Sequence, residues 1–284
     1  MQQIDLKLTS DLIQRAKLSE NTVVQSLPEI LLNLSQFRNH VERPFQWRET
    51  SAEAFKEKAK TVKTARELNS LYWRDVANQT KAYGISTTWR IMELVEQSIV
   101  LLNSEGILGP AIIGRALIEL TSTFILNGDT IRRYVEEAAG KWQEASVTSE
   151  HLENLLLKAI YGTRLVPEDH YLRQTNISSQ LQKLSKVQGY ETITKKYEFL
   201  CEVAHPNVVG SARFWSDDGR LQTDGTTMRD FNPRTLNNST VCEILDHTLW
   251  TIAWASANVM EGFIILDKQV ALIGREFPGR RLSL

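Results

Sequence analysis

The stretch "AIIGRALIELTSTFIL", residues 111–126, decides the fold. It is apolar on nearly every side over about four helical turns. A helix without a polar face belongs inside a core rather than on a surface. Only Arg115 and Glu119 bring charge to it. Their i, i+4 spacing puts them on one face. Two charges on such a helix are costly to bury unless they are paired and hydrogen-bonded. This segment therefore predicts a helical core and one polar cluster within it.

The pattern extends outward on both sides. Upstream, "GILGP" at 106–110 breaks the chain, and Pro110 suits a first helical turn. Before it, Ile91, Leu94, Val95, Ser98, Leu101 and Leu102 recur at helical spacing and predict a helix over 86–104. A further helix is expected over 52–81, with Ser51 as its cap and Glu53 in its first turn. Lys56, Lys60 and Lys63 would line one side of that helix, either as a solvated face or as a weak phosphate-contact stripe. The loop 39–51 separates it from two short amphipathic segments at 9–18 and 25–38, with Pro28 in a first turn.

Downstream, helices fit 130–145, 150–163, 176–189 and 190–205. Asp218-Gly219, between Phe214-Trp215 and Arg220-Leu221, predicts a β-hairpin within 211–225. Asn232-Pro233 and Asn237-Asn238-Ser239 mark a loop, and a last long helix is expected over 240–272. The expected fold is all-α: a helical bundle over 86–272, an N-terminal helical extension over 1–85, one small β-hairpin insert near 211–225, and a loose basic tail over 273–284.

Composition narrows the partners. Charged residues make up 24% of the 284 and the net charge is −1, so no global field favours nucleic acid or membrane. Two cysteines, Cys201 and Cys242, make neither a disulfide framework nor a CxxC metal knuckle, and they suit a reducing, cytoplasmic setting. The first residues carry no apolar leader core. The most membrane-like run, 248–266, holds Glu261 and several hydroxyl and amide side chains, and reads as a buried core helix. Neither a membrane nor a DNA sequence reader's target is expected.

The candidate site lies where "KYEFLCEVAHPN", 196–207, meets the charged face of 111–126. On a helix, Tyr197, Cys201 and His205 stack at i, i+4 and i+8. Pro206 should end that helix, because a residue before proline is driven out of the α region. Arg115, Glu119, Tyr197, His205 and Asn207 are expected to form one mostly buried polar cluster, either a fold-specifying network or a catalytic site. The hairpin would fold over the end of the helix near His205, with Phe214 and Trp215 on opposite faces.

"GRALIEL" (114–120), followed some eighty residues later by Tyr197-x2-Leu200-x4-His205, resembles all-helical bacterial proteins related to the HEPN superfamily. The likeness covers roughly 86–265. It implies a helical bundle, a homodimer, and a role in defence or stress with an RNA or protein partner. Active members of that superfamily are metal-independent ribonucleases using an Arg-x4–6-His motif. Here no Arg lies four to six residues before His205. The formal match Arg164...His170, "RLVPEDH", is interrupted by Pro167, which cannot sit inside one regular helix.

Three readings follow. The first is a non-catalytic interaction or regulatory protein of a bacterial defence or stress system. The second is a divergent ribonuclease acting through the five-residue cluster. The third is a metal-binding bundle built on Glu202-x-x-His205, with Glu119 and His247. A cofactor is not expected, since no P-loop, G-x-G-x-x-G or G-x-S-x-G occurs. Trp250 and Trp254, at i, i+4 on the last helix, offer a wide aromatic face for the homodimer.

Overall fold

The computed structural model describes residues 6–41, 46–48, 50–163, 165, 172–173, 175–232 and 238–278. Among these the protein is mostly helical. The order is α1 (Ser10–Leu18), α2 (Thr22–Gln25), α3 (Leu27–Phe37), α4 (Ala52–Lys60), α5 (Ala65–Asn103), α6 (Leu108–Ala139), α7 (Glu150–Tyr161), α8 (Ile177–Leu184), α9 (Ile193–Ala204), α10 (Val208–Ala212), β1 (Arg220–Leu221), β2 (Thr227–Met228) and α11 (Ser239–Glu276). Parts of the loop expected over 39–51, of the Asn232 to Asn237 loop and of the Arg164...His170 motif, and residues 279–284 of the tail, lie outside the described residues; the start of the expected loose tail is instead ordered, α11 running to Glu276 and Phe277 being buried.

The chain forms two compact units. Unit 1 comprises Met1–Asn39, Arg90–Ser122 and Ile177–Asn258; unit 2 comprises His40–Trp89, Thr123–Asn176 and Val259–Leu284. The boundary expected at residue 85 falls inside α5. Residues 1–39 are grouped with the later helices of unit 1 rather than with 40–85.

Helix boundaries differ from expectation at 61–64, 82–85 and 127–129. The helix expected over 52–81 is broken at 61–64. Thr64 Oγ1 accepts from the Glu67 amide (3.2 Å), and the Glu67 carboxylate accepts from the Lys63 amide (2.7 Å). Thr64 thus caps a new helix that starts at Ala65, with the Glu67 carboxylate holding the residue before the cap. Lys63 therefore lies outside the helix, and the three-lysine line on one helix face does not form. Conversely, no break occurs near 82–85 or 127–129. Gly84 and Gly128 stay helical, and a Cβ added at either would lie 3.4 and 4.0 Å from the Leu266 methyls. Packing against Leu266 outweighs the weak helix propensity of glycine, about 1 kcal/mol. Gly262 is needed more strictly, because a Cβ there would fall 2.7 Å from the Phe124 ring.

In unit 2, Trp73 is fully buried and meets Trp142 at 5.2 Å, which in turn meets Phe277 at 5.1 Å. Asn69, Tyr72 and Trp73 also satisfy the turn after α6. Asn69 Nδ2 donates to the Ala145 carbonyl (2.7 Å), Trp73 Nε1 to that of Val147 (3.0 Å), and Tyr72 exchanges hydrogen bonds with the Ser149 backbone. In unit 1 the stretch of α11 from Thr248 to Ser256 is buried throughout. By length and composition α6 and α11 could each cross a membrane; 44% and 61% of their most apolar windows are buried inside the protein.

The hairpin forms, but on the second Asp-Gly. Arg220 pairs with Met228 and Leu221 with Thr227, and the turn spans Gln222–Thr226, with Gly225 at φ +82°. Gly219 lies instead beside the partner strand, where a Cβ would overlap the Thr227 methyl at 2.2 Å.

The "GILGP" break closes as a Schellman motif. The Gly106 amide donates to the Leu101 carbonyl (2.8 Å) and the Glu105 amide to that of Leu102 (3.0 Å). The left-handed position is held by Glu105 (φ +60°), not by a glycine. A side chain there is strained by about 1 kcal/mol. Glu105→Gly should therefore raise stability by about 1 kcal/mol in urea unfolding; an unchanged or lower midpoint would contradict this.

Candidate functional site

Three of the five expected cluster residues meet in unit 1. Arg115 and Glu119 lie one turn apart on α6, with Nε 3.2 Å from Oε1. Tyr197 on α9 donates its hydroxyl to the same Oε1 at 2.8 Å, and the Arg115 guanidinium lies 5.7 Å from the Tyr197 ring centre. α9 reaches this position because Gly114 lets Leu200 approach, a Cβ there standing 3.2 Å from the Leu200 methyl. The cluster is half-buried rather than mostly buried: the Arg115 and Glu119 side chains are 34% and 25% exposed. Burial, then the bond to Glu119, pushes the Tyr197 phenol up to about 12. The contact with Tyr197 raises the Arg115 pKa further. Both groups thus keep their protons at neutral pH.

His205 and Asn207 stand apart from this cluster. α9 ends at Ala204, and His205 turns extended at φ −85°, ψ 154° as Pro206 requires. The Tyr197–Cys201–His205 line is broken at its last member, and the His205 side chain is exposed. Asn207 donates to the Glu202 carboxylate. The structure that packs on the end of α9 is α10, where Gly210 approaches the Val203 carbonyl so closely that a Cβ would stand at 2.8 Å.

The hairpin is fastened to the start of α11. Asn238 Nδ2 donates to the Arg213 carbonyl (2.9 Å) and the Trp215 carbonyl (3.1 Å), while its Oδ1 caps the Val241 amide (2.7 Å). The Asp217 carboxylate accepts from the Ser239 amide (2.7 Å) and hydroxyl (2.9 Å). An acidic side chain at a helix N-terminus is favourable. Phe214 is half-buried and Trp215 is 44% exposed, in the sense expected for adjacent strand residues, but both rings contact Phe231.

The metal reading fails on geometry. Glu119 is held by Arg115 and Tyr197, and Glu202 by Asn207. The His247 ring stacks on Phe199 at 4.0 Å. Burial, then the nearby Lys196 charge, lowers His247 to about 4, so it is neutral at pH 7. Among the described residues no three His, Cys, Asp or Glu side chains are placed to hold a metal ion.

The aromatic face of α11 is also taken up within the protomer. Trp250 and Trp254 are buried and stacked at 5.7 Å. Lys196 Nζ lies 5.3 Å from the Trp250 ring, and Tyr190 sets its edge to Trp254 while donating to Asn258 (2.7 Å). This face is therefore not open to a second copy.

The chain matches no protein-family model, no curated protein and no solved structure. Two features went unread in the sequence. One is the buried pair of Arg38 and Glu96, whose side chains are 14% and 8% exposed. Its signal was a lone Glu on the apolar side of the 86–104 pattern. The other is the exposed apolar surface of the hairpin, with Leu221 74%, Phe231 61% and Met228 55% exposed beside Trp215. Its signal was Phe231, placed to return opposite Trp215.

Tyr197→Phe removes a hydrogen bond to a charged acceptor and should lower stability by about 1 kcal/mol. His205→Ala should change it by less than about 0.5 kcal/mol. Urea unfolding of both variants checks the division of the cluster; a larger loss at His205 than at Tyr197 would contradict it.

Proposed function

We propose that this protein is a non-catalytic interaction or regulatory protein, a HEPN-like helical bundle acting in the cytoplasm of a bacterial defence or stress system. The observation that supports the non-catalytic part is the engagement of Glu119. Its Oε1 accepts from both Arg115 and Tyr197, and neither donor loses its proton near neutral pH. A general base must lie within hydrogen-bond reach of the proton it takes. The proton within reach of Glu119 is that of Tyr197, a phenol held protonated at neutral pH, and His205 is exposed beyond the end of α9. The resemblance to HEPN-related proteins supplies the setting.

The interaction part rests on the hairpin. Trp215, Leu221, Met228 and Phe231 expose apolar side chains on a small element that is pinned at its base by Asp217 and Asn238. Its partner on this reading is another protein, with an apolar pocket, rather than RNA. A phosphate backbone needs available cations. Arg220 pairs with Asp230 (2.7 Å), Arg229 donates to the Ser216 and Asp217 carbonyls, and Arg213 is buried over Phe214. Residues 211–232 hold these three Arg against four Asp, 3 − 4 = −1.

Incubation of the purified protein with single-stranded RNA, with and without EDTA, tests this reading. No cleavage above that of a Arg115→Ala/His205→Ala control is expected, and no salt-sensitive binding. Cleavage that survives EDTA and is lost in the control would overturn it in favour of the ribonuclease reading.

A further inference from the structure

Unit 2 encloses a small cavity of about 90 Å³ lined by α5 and α11. Its lining includes Thr80, Gly84 and Ile85 from α5, and Phe263, Leu266 and Val270 from α11. Thr80 is completely buried, and its hydroxyl has no hydrogen-bond partner among the described residues. A buried hydroxyl left unmet is costly, so something is expected to meet it. Water is a poor candidate. A buried water wants two to four polar partners, and apart from Thr80 this inner wall is glycine and hydrocarbon. The rest of the lining is Lys81, His40 and Asp267, the last two exposed. Lys81 and Asp267 bring one charge of each sign, so the opening does not select an ion.

We propose that this cavity is a binding site for a small uncharged amphiphile of the short-chain alcohol class. Its hydroxyl bonds to Thr80 and its carbon chain lies against Ile85, Leu266 and Val270. The volume is that of about three waters at roughly 30 Å³ each, room for about four heavy atoms. The site is independent of the Arg115–Glu119–Tyr197 cluster and of the hairpin, and its ligand chemistry does not depend on the function proposed above.

The test uses the full chain and 1-propanol as the probe, followed through the NMR methyl signals of Ile85, Leu266 and Val270. Two variants separate the anchor from the space. Thr80→Val keeps the shape and removes the hydroxyl. Gly84→Ala adds a methyl that meets Leu266 at an ordinary 3.4 Å and favours the helix, so the fold is retained while the cavity is filled. The expected result is saturable shifts in the wild type, affinity about fivefold weaker in Thr80→Val, and no saturable shift in Gly84→Ala. Linear, non-saturating shifts in the wild type would overturn the proposal. So would an affinity unchanged in either variant.

Discussion

A carboxylate on the buried side of a helix must find a cation, and Glu96 on α5 finds Arg38 at the end of α3. Much of the arrangement of unit 1 follows from this pairing. A buried ion pair gives little net stability over a hydrophobic pair, but one partner without the other leaves a charge stranded in a low-dielectric interior. The helices before Arg38 are therefore tied to the rest of unit 1. Weaker contacts agree with that: the Thr9 amide bonds to Asn103 (3.0 Å), Ser19 Oγ to Asp246 (3.2 Å) and Arg15 to the Cys242 sulfur (3.5 Å).

The candidate site shows the same rule at lower stakes. Arg115 and Glu119 lie at a half-exposed position, so the pair is screened and contributes modestly. What it does is fix the side chain of Tyr197 and, through it, the place of α9 on α6. The site residues of the two interpretations, structural and catalytic, thus part company at Pro206. Tyr197, before it, meets Glu119, and His205, next to it, is exposed to solvent.

Long apolar periodicity made the helical class and the final helix legible, and the Ser51 cap was legible from residue type: its hydroxyl accepts from the Ala54 amide at 3.2 Å. Tyr197 meeting Glu119 was legible because an i, i+4 ion pair on an apolar helix needs a third partner. Three other features were not. α5 continues through Gly84 and α6 through Gly128 because Leu266, far away in sequence, packs against both. The choice between two Asp-Gly pairs for the hairpin turn depends on Gly219 lying against Thr227 and on Trp215 pairing with Phe231. Arg38 and Glu96 are 58 residues apart, and no local pattern joins them. In each case a long-range contact overrides a local signal.

The claim on which this account most depends is that the Arg38–Glu96 pair holds the N-terminal helices within unit 1. A double-mutant cycle of Arg38→Met and Glu96→Leu, read by urea unfolding, measures it directly. The account predicts that Arg38→Met alone lowers stability by about 3 kcal/mol, and that adding Glu96→Leu restores most of the loss. A cost below about 0.5 kcal/mol for Arg38→Met, or two costs that simply add, would contradict it.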